Sequence, residues 1–155
     1  MKDFDATPPG KDYYISFDKA LIDPTFVIRE IQHSYWGSWR TPMTILKSMD
    51  YSICAGVFKH AVWEKKDEQK PKDIQVGFAR VVTDYTTFAW ICDVLIAKEH
   101  QGKGLGKFLM WHLHQHPDVK PRACMLATRD AHDLYRKFGY KEFTAMKRLP
   151  SETGE

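Results

Sequence analysis

The chain has 155 residues, enough for one domain with a real core and too few for two enzymatic domains with separate cores. Hydrophobic residues make up 43% and charged residues 28%, ordinary globular usage that argues against disorder and fibrous architecture. A formal charge of +3 and a pI near 8.7 suit one anionic ligand but fall short of a nucleic-acid-binding surface, so no nucleic-acid partner is expected.

Cys54, Cys92 and Cys124 are single, widely spaced and odd in number, which favours buried reduced thiols and a cytoplasmic setting over disulfides or a metal site. Met1 to Lys11 shows no apolar stretch behind a basic cluster, and no apolar run reaches the roughly eighteen residues of a membrane span. Neither export nor a membrane partner is expected.

In chain order, Tyr13 to Phe17 reads as a first strand. Asp23-Pro24 then supplies an N-cap and a proline at the first helical position, predicting a helix from Pro24 to about His33. Ser34 to Arg40 breaks the helical period with serine and glycine while carrying Tyr35, Trp36 and Trp39. Thr41-Pro42 repeats the cap signal and opens a second helix expected to turn Met43, Leu46 and Met49 inward. Ser52 to Lys59 has strand character, and the charged run Lys65 to Asp73 is expected to form a solvated hairpin tip. Gln75 to Thr83 and Thr86 to Ala97 read as long strands joined by a tight turn at Asp84-Tyr85, the second apolar enough to lie centrally.

From Gly104 the spacing becomes helical, with Leu105, Phe108, Leu109, His112, Leu113 and His116 on one face until Pro117 stops it. Ala123 to Thr128 reads as a buried strand. Asp130 is placed to cap a last helix, Ala131 to Phe138, ended by Gly139 in a left-handed cap, and Lys141 to Lys147 supplies a final strand. Thr86–Ala97, the following helix and Ala123–Thr128 form a crossover, which requires parallel pairing and is nearly always right-handed. The predicted architecture is one mixed α/β domain, α+β-like, over residues 1–155.

Gln101-Gly102-Lys103-Gly104-Leu105-Gly106 stands between a strand and the first turn of a helix, where free N–H groups and the helix dipole attract phosphate. Glycine lets a ligand approach those amides and accepts positive φ, and Lys103 and Lys107 add charge. The GxxxxGK[S/T] loop is excluded, because Gln101 holds its first glycine position and Phe108 follows Lys107. The GxGxxG dinucleotide loop is excluded because Lys107 or Leu109 falls at its third glycine.

Gln101, Gly104 and Gly106 do fit [Q/R]xxGx[G/A], the pyrophosphate loop of the GNAT superfamily of acyl-CoA-dependent N-acyltransferases, which the chain resembles from about Ser52 to Phe143. The resemblance runs through the central strand ICDVLIA, the loop QGKGLGK, the strand LATRD and the segment AHDLYRKFGY, similar to the family's A-x-x-x-Y-x-x-x-GF helix. SYWGSWRT and GFARVVTDYTTFAWICDV are similar to a subgroup of small prokaryotic members whose acceptors are undefined. The resemblance implies the GNAT fold, a mixed, mostly antiparallel sheet with a parallel splayed strand pair, flanked by about four helices. It implies an N-acetyltransferase that moves an acetyl group from acetyl-CoA, its co-substrate, to a primary amine of a small molecule or peptide by direct transfer. The alternative is a non-catalytic acyl-CoA-binding sensor or interaction module. Members of the superfamily often form homodimers.

Carried onto this chain, the resemblance assigns Gln101, Gly102, Lys103, Gly104, Leu105, Gly106 and Lys107 to the pyrophosphate. Backbone N–H groups of Val94, Leu95 and Ile96 fall to the pantetheine arm and the oxyanion. Asp130 occupies a position often filled by an asparagine that contacts pantetheine. Tyr135 matches the tyrosine that protonates the departing thiolate; the plainer reading is an amphipathic-helix tyrosine with a wet tip, and Tyr140 reads as core. A lysine-like acceptor, with a pKa of about 10.4, is mostly protonated at neutral pH, so its proton must be removed or excluded. Asp93, a carboxylate inside an apolar strand, is the candidate base or ammonium-binding group, or else is satisfied by a neighbour such as Arg80. Glu99, in the next turn, is a second option.

Tyr35, Trp36 and Arg40 are candidates for the acceptor site: tryptophan faces suit a cationic amine and Arg40 a carboxylate, with core packing and a surface arginine as the competing account. His112 and His116 stand at helical i and i+4, with His114 between them. No acidic or cysteine partner accompanies them in that segment, so no metal is expected.

Overall fold

A computed structural model describes residues 9–62 and 71–149 of the chain. Strand β1, Tyr13–Ser16, leads through a short 3-10 turn to helix α1, Pro24–His33, which starts where the Asp23 carboxylate accepts the Thr25 N–H at 2.9 Å. Helix α2, Pro42–Asp50, starts the same way, with Thr41 Oγ1 accepting from Thr44 N–H at 3.2 Å. In both, proline at the first turn forfeits no helix hydrogen bond, because that N–H has no partner inside the helix.

The inward face of α2 differs from the sequence expectation. Ile45 is fully buried, Leu46 and Met49 are half-buried, and Met43 is 71% exposed. With Thr41 as cap, the core-facing stripe runs through Ile45 and Met49, and Met43, two positions back, is rotated about 200° from Ile45.

Strands β2 (Ile53–Lys59), β3 (Ile74–Thr83) and β4 (Phe88–Ile96) continue an antiparallel run, and β5 (Ala123–Met125) joins β4 in parallel, giving the spatial order β1-β2-β3-β4-β5. The expected hairpin tip at Lys65 to Asp73 lies mostly outside the described residues. Asp73 itself closes the hairpin base, accepting from Tyr14 Oη at 3.0 Å and Ala61 N–H at 2.9 Å. The turn before β4 is built by Asp84, whose carboxylate accepts from the N–H groups of Thr86, Thr87 and Phe88 and from the Thr87 hydroxyl.

Helix α3, Leu105–Gln115, lies on one face of the sheet. Its Leu105, Phe108, Leu109, Met110 and Leu113 bury against Ala55, Val57, Val76, Val81, Ala89 and Ile91. On the other face, Phe26, Val27 and Ile31 of α1 and Ile45 of α2 cluster with Cys54, Phe58, Phe78 and Ala97. Side chains from alternate strand positions thus feed two cores, one on each side of the sheet.

Four expectations near the C-terminus are corrected. The strand expected at Ala123 to Thr128 forms a ladder over Ala123–Met125 alone and is half-buried at best, because it pairs β4 only at Phe88, Ala89 and Trp90. The last helix, α4, is shorter than expected, His132–Arg136. Asp130 does not cap it: Ala131 is the N-cap residue with no side-chain cap, and the Ala131 N–H is taken by Thr128 Oγ1 at 3.0 Å. Gly139 follows in the left-handed region, φ +84°. Lys141 to Lys147 forms no strand and is exposed throughout. Phe143 and Ala145 instead border, with Cys124 and Leu126, a cavity of about 770 Å³, so the segment stands off from β5 rather than pairing with it. Among the described residues, no helix is long and apolar enough to cross a membrane.

Candidate active site

The site begins with an irregularity in β4. Phe78 pairs with Leu95 and Arg80 with Cys92, so two steps along β3 match three along β4, which therefore carries one extra residue. Asp93 lies in that interval with φ +54°, a left-handed backbone unusual for a residue other than glycine. The extra residue resets the alternation: Ala89 and Ile91 face α3 before it, and Val94 and Ile96 face α3 after it. Because β5 pairs no further than Trp90, the β4 segment Ile91–Ile96 has no ladder partner on that side among the described residues.

The opening so formed is a groove of about 490 Å³. Val94, Leu95 and Ile96 form one wall, Gln101, Gly102, Gly104, Leu105 and Gly106 the floor, and Asp130 and Tyr135 the opposite wall. Gly102 and Gly104 have φ +75° and +82°, and a Cβ built on either meets nothing within 4 Å, so both face open space at the N-terminus of α3. That combination of left-handed glycines and a helix start leaves N–H groups directed at a potential anion. Gln101 Nε2 donates to the Ile96 carbonyl at 2.9 Å, tying the loop to the end of β4.

Lys103 and Lys107 are exposed and stand outside the groove wall; Lys103 Nζ donates to the Glu99 carbonyl at 3.3 Å. Glu99 is exposed in the turn Lys98–His100. The structure adds His100, Ala131 and Leu134 to the groove lining. His100 hydrogen-bonds Tyr13 Oη through Nδ1 at 3.0 Å, and burial, followed by the Lys103 and Lys59 charges, lowers its pKa, favouring the neutral ring. Its position directly before Gln101 was the available signal in the sequence.

Tyr135 is half-buried, and its hydroxyl has no hydrogen-bond partner among the described residues. Burial first, then the nearby Asp130 and Tyr35, pushes its pKa above the ordinary tyrosine value, so the phenol holds its proton throughout the neutral range. Its ring borders both the groove and the larger cavity behind it.

Asp93 is buried, and both carboxylate oxygens are engaged: Arg40 Nη1 donates to Oδ1 and Arg80 Nε to Oδ2, each at 2.8 Å. Arg80 Nη1 also donates to Ser52 Oγ at 3.0 Å. Burial raises the neighbouring Cys92 to about 11, keeping it a neutral thiol. Of the aromatic segment, Trp36 packs against the α1–α2 core, Trp39 is largely exposed, and the Arg40 guanidinium lies 5.7 Å and 5.6 Å from their ring centres. Tyr35 reaches across to the far wall, donating to Asp130 Oδ1 at 3.4 Å, with the Arg129 guanidinium 3.7 Å over its ring.

The histidines of α3 are used locally. His112 and His114 donate through Nδ1 to the carbonyls of Phe108 and Met110, and His114 Nε2 meets Tyr140 Oη at 2.9 Å. Among the described residues, no three His, Cys, Asp or Glu side chains converge as metal ligands.

Comparison with known proteins identifies the family and the fold. The family model of the acetyltransferase (GNAT) domain matches residues 59–142. A Gibberella zeae protein assigned as an acetyltransferase is 30% identical over 150 residues, covering 88% of this chain and 85% of its own. A crystal structure assigned to the GNAT family, from Xanthomonas campestris pv. campestris, superposes with a TM-score of 0.75 at 30% identity, covering 89% of this chain and 93% of that one. The ribosomal-protein-S18-alanine N-acetyltransferase of Escherichia coli shares the fold, with a TM-score of 0.58 at 18% identity over 85% of this chain and 79% of its own. The chain belongs to the GNAT acetyltransferase family, whose chemistry is acyl transfer.

Proposed function

We propose that this protein transfers an acetyl group from acetyl-CoA directly to a primary amine. The observation that carries the reading is the meeting, in one groove, of the left-handed glycines at the start of α3, the β4 segment Val94–Ile96, which among the described residues has no ladder partner on its β5 side, and the Tyr135 hydroxyl, which among them has no hydrogen-bond partner. Acetyl-CoA supplies a thioester, an acyl group already activated for attack by an amine. The residues present fit it: Gly102 and Gly104 leave the space a pyrophosphate needs, and β4 past the bulge offers backbone to the pantetheine amides.

The chain's own tasks follow. Those backbone N–H groups along Val94 to Ile96 that point away from β3 are fixed dipoles that stabilise negative charge developing on a carbonyl oxygen, at no cost of reorganisation. Tyr135, kept protonated by its surroundings, is the acid that delivers a proton to the leaving sulfur. Asp130 and Gln101 line and brace the groove on the cofactor side. Tyr35, Trp36, Arg40 and Asp93 form the acceptor side. Asp93 contributes chiefly by holding Arg40 and the bulge, since both its oxygens already accept from arginines.

The deciding test is thiol release from acetyl-CoA with a panel of amino acids, polyamines, aminoglycosides and peptides. Turnover with at least one amine, lost in Tyr135→Phe while CoA affinity is kept, is the expected result. CoA binding without turnover for any amine would replace the enzyme with a non-catalytic acyl-CoA sensor.

A further inference from the structure

The cluster around Asp93 is out of electrical balance. Two guanidinium groups, Arg40 and Arg80, converge on one carboxylate, and the other buried polar side chain among the described residues, Ser52, is neutral. The two arginine side chains are only 20% and 12% exposed, so an excess positive charge sits in a partly desolvated place. Such a charge is costly unless an anion accompanies it.

Arg40 is the arginine with capacity to spare. It spends one contact, from Nη1, on Asp93, whereas Arg80 is engaged through both Nε and Nη1. The remaining donors of the Arg40 fork make no hydrogen bond with the described residues. They are also not among the buried unpaired atoms, so they open to the surface. Its backbone is fixed as well: Gln32 Nε2 donates to the Arg40 carbonyl at 3.0 Å, and Trp36 and Trp39 flank the guanidinium. This is a pre-oriented fork with a vacant edge, and one vacant edge matches one carboxylate. Arg40 does not itself line the groove, but the segment that carries it reaches the groove wall, where Tyr35 donates to Asp130 at 3.4 Å, and Asp93, which holds the guanidinium, directly precedes Val94 of the facing wall.

We infer that the acceptor is an amine carrying a carboxylate close to its nitrogen, an amino acid or a peptide of that shape, and that Arg40 binds the carboxylate. The inference rests on the transfer reading above and names its substrate class.

Two measurements test it on the full chain. In calorimetry with CoA present, N-acetylglycine binds saturably and N-acetylglycinamide does not. Arg40→Lys, which keeps the charge beside Asp93 but loses the planar fork, weakens N-acetylglycine on the order of ten- to a hundredfold. Arg129→Ser, removing the exposed cation over Tyr35, leaves that affinity unchanged. No binding of N-acetylglycine, equal binding by Arg40→Lys, dependence on Arg129 instead, or tighter binding of inorganic phosphate would each overturn the carboxylate assignment. In thiol release, an amino acid outpaces its own amide and its decarboxylated amine, and Arg40→Lys erases that preference; equal rates in the native protein overturn the inference. Arg40-dependent binding of N-acetylglycine with no turnover of any amine supports the carboxylate site and overturns the transfer reading alone.

Discussion

Arg80 Nε donates to Asp93 Oδ2 at 2.8 Å, tying β3 to the one residue of β4 whose backbone is left-handed. The ion pair therefore braces the bulge that exposes Val94 to Ile96. Removing one partner of a buried pair strands the other, so Asp93→Ala is expected to cost about 3–5 kcal/mol in denaturant unfolding. Asp93→Asn, whose amide tolerates left-handed φ, is expected to retain more stability and more CoA affinity than Asp93→Ala. Equal behaviour of the two would remove the bracing role.

Gly104→Ala forces a Cβ onto a φ of +82°, at a cost of about 1–2 kcal/mol, and also intrudes on the space in front of the helix start. Gly139→Ala carries the same kind of strain at φ +84° but lies outside the groove. Both variants are expected to lower the melting temperature, whereas only Gly104→Ala weakens CoA binding in calorimetry.

Tyr135→Phe removes the acid and leaves the ring. Turnover is expected to fall about 10²- to 10⁴-fold, with CoA affinity within a few-fold of the native protein. Because the Tyr135 pKa is raised, its acid form persists beyond the ordinary tyrosine value of about 10. A plot of kcat against pH should therefore show no alkaline decline from this group below that value; a Tyr135-dependent decline near neutrality would exclude it as the acid.

Asp84 and Asp73 are both held below the ordinary carboxylate pKa. Asp84 is lowered first by the Thr87 hydroxyl and then by backbone N–H groups, and Asp73 first by the Ala61 N–H. A depressed folded-state pKa gives stability that is present above the unfolded value and is lost as pH falls toward the folded one. Unfolding free energy is expected to decline as the pH is lowered through about 4 and below, and Asp84→Ala to flatten part of that decline.

The features legible in the sequence are those set by neighbours along the chain. Asp23-Pro24 and Thr41-Pro42 announce two helix starts because cap and proline act within three residues, and Gly102 and Gly104 announce the left-handed turn before α3 because glycine takes positive φ at little cost. Asp93 stood out as a carboxylate in an apolar strand, but its second partner, Arg40, is 53 residues away and was assigned to the acceptor instead. Met43, expected inward, is exposed and Ile45 is buried in its stead, because inward direction depends on where the helix phase is set against the sheet. The short β5 and the unpaired Lys141 to Lys147 were missed for a related reason: strand propensity describes a segment's suitability for a ladder, and the extent of the ladder depends on the edge available to it.

The segment from Tyr35 to Arg40 is fastened at two ends of unequal strength. At Arg40 the hold is a 2.8 Å ion pair to a buried carboxylate; at Tyr35 it is a 3.4 Å hydrogen bond to an exposed one. Between the two ends Trp36 packs against the α1–α2 core and the Gly37 and Ser38 N–H groups donate to the Ser34 carbonyl, so the backbone is a closed turn and the weak hold is that of the Tyr35 side chain. Removing the Tyr35 side chain would part its hydrogen bond to Asp130 and the Arg129 contact over its ring, while Arg40, Asp93 and the bulge would keep their own contacts.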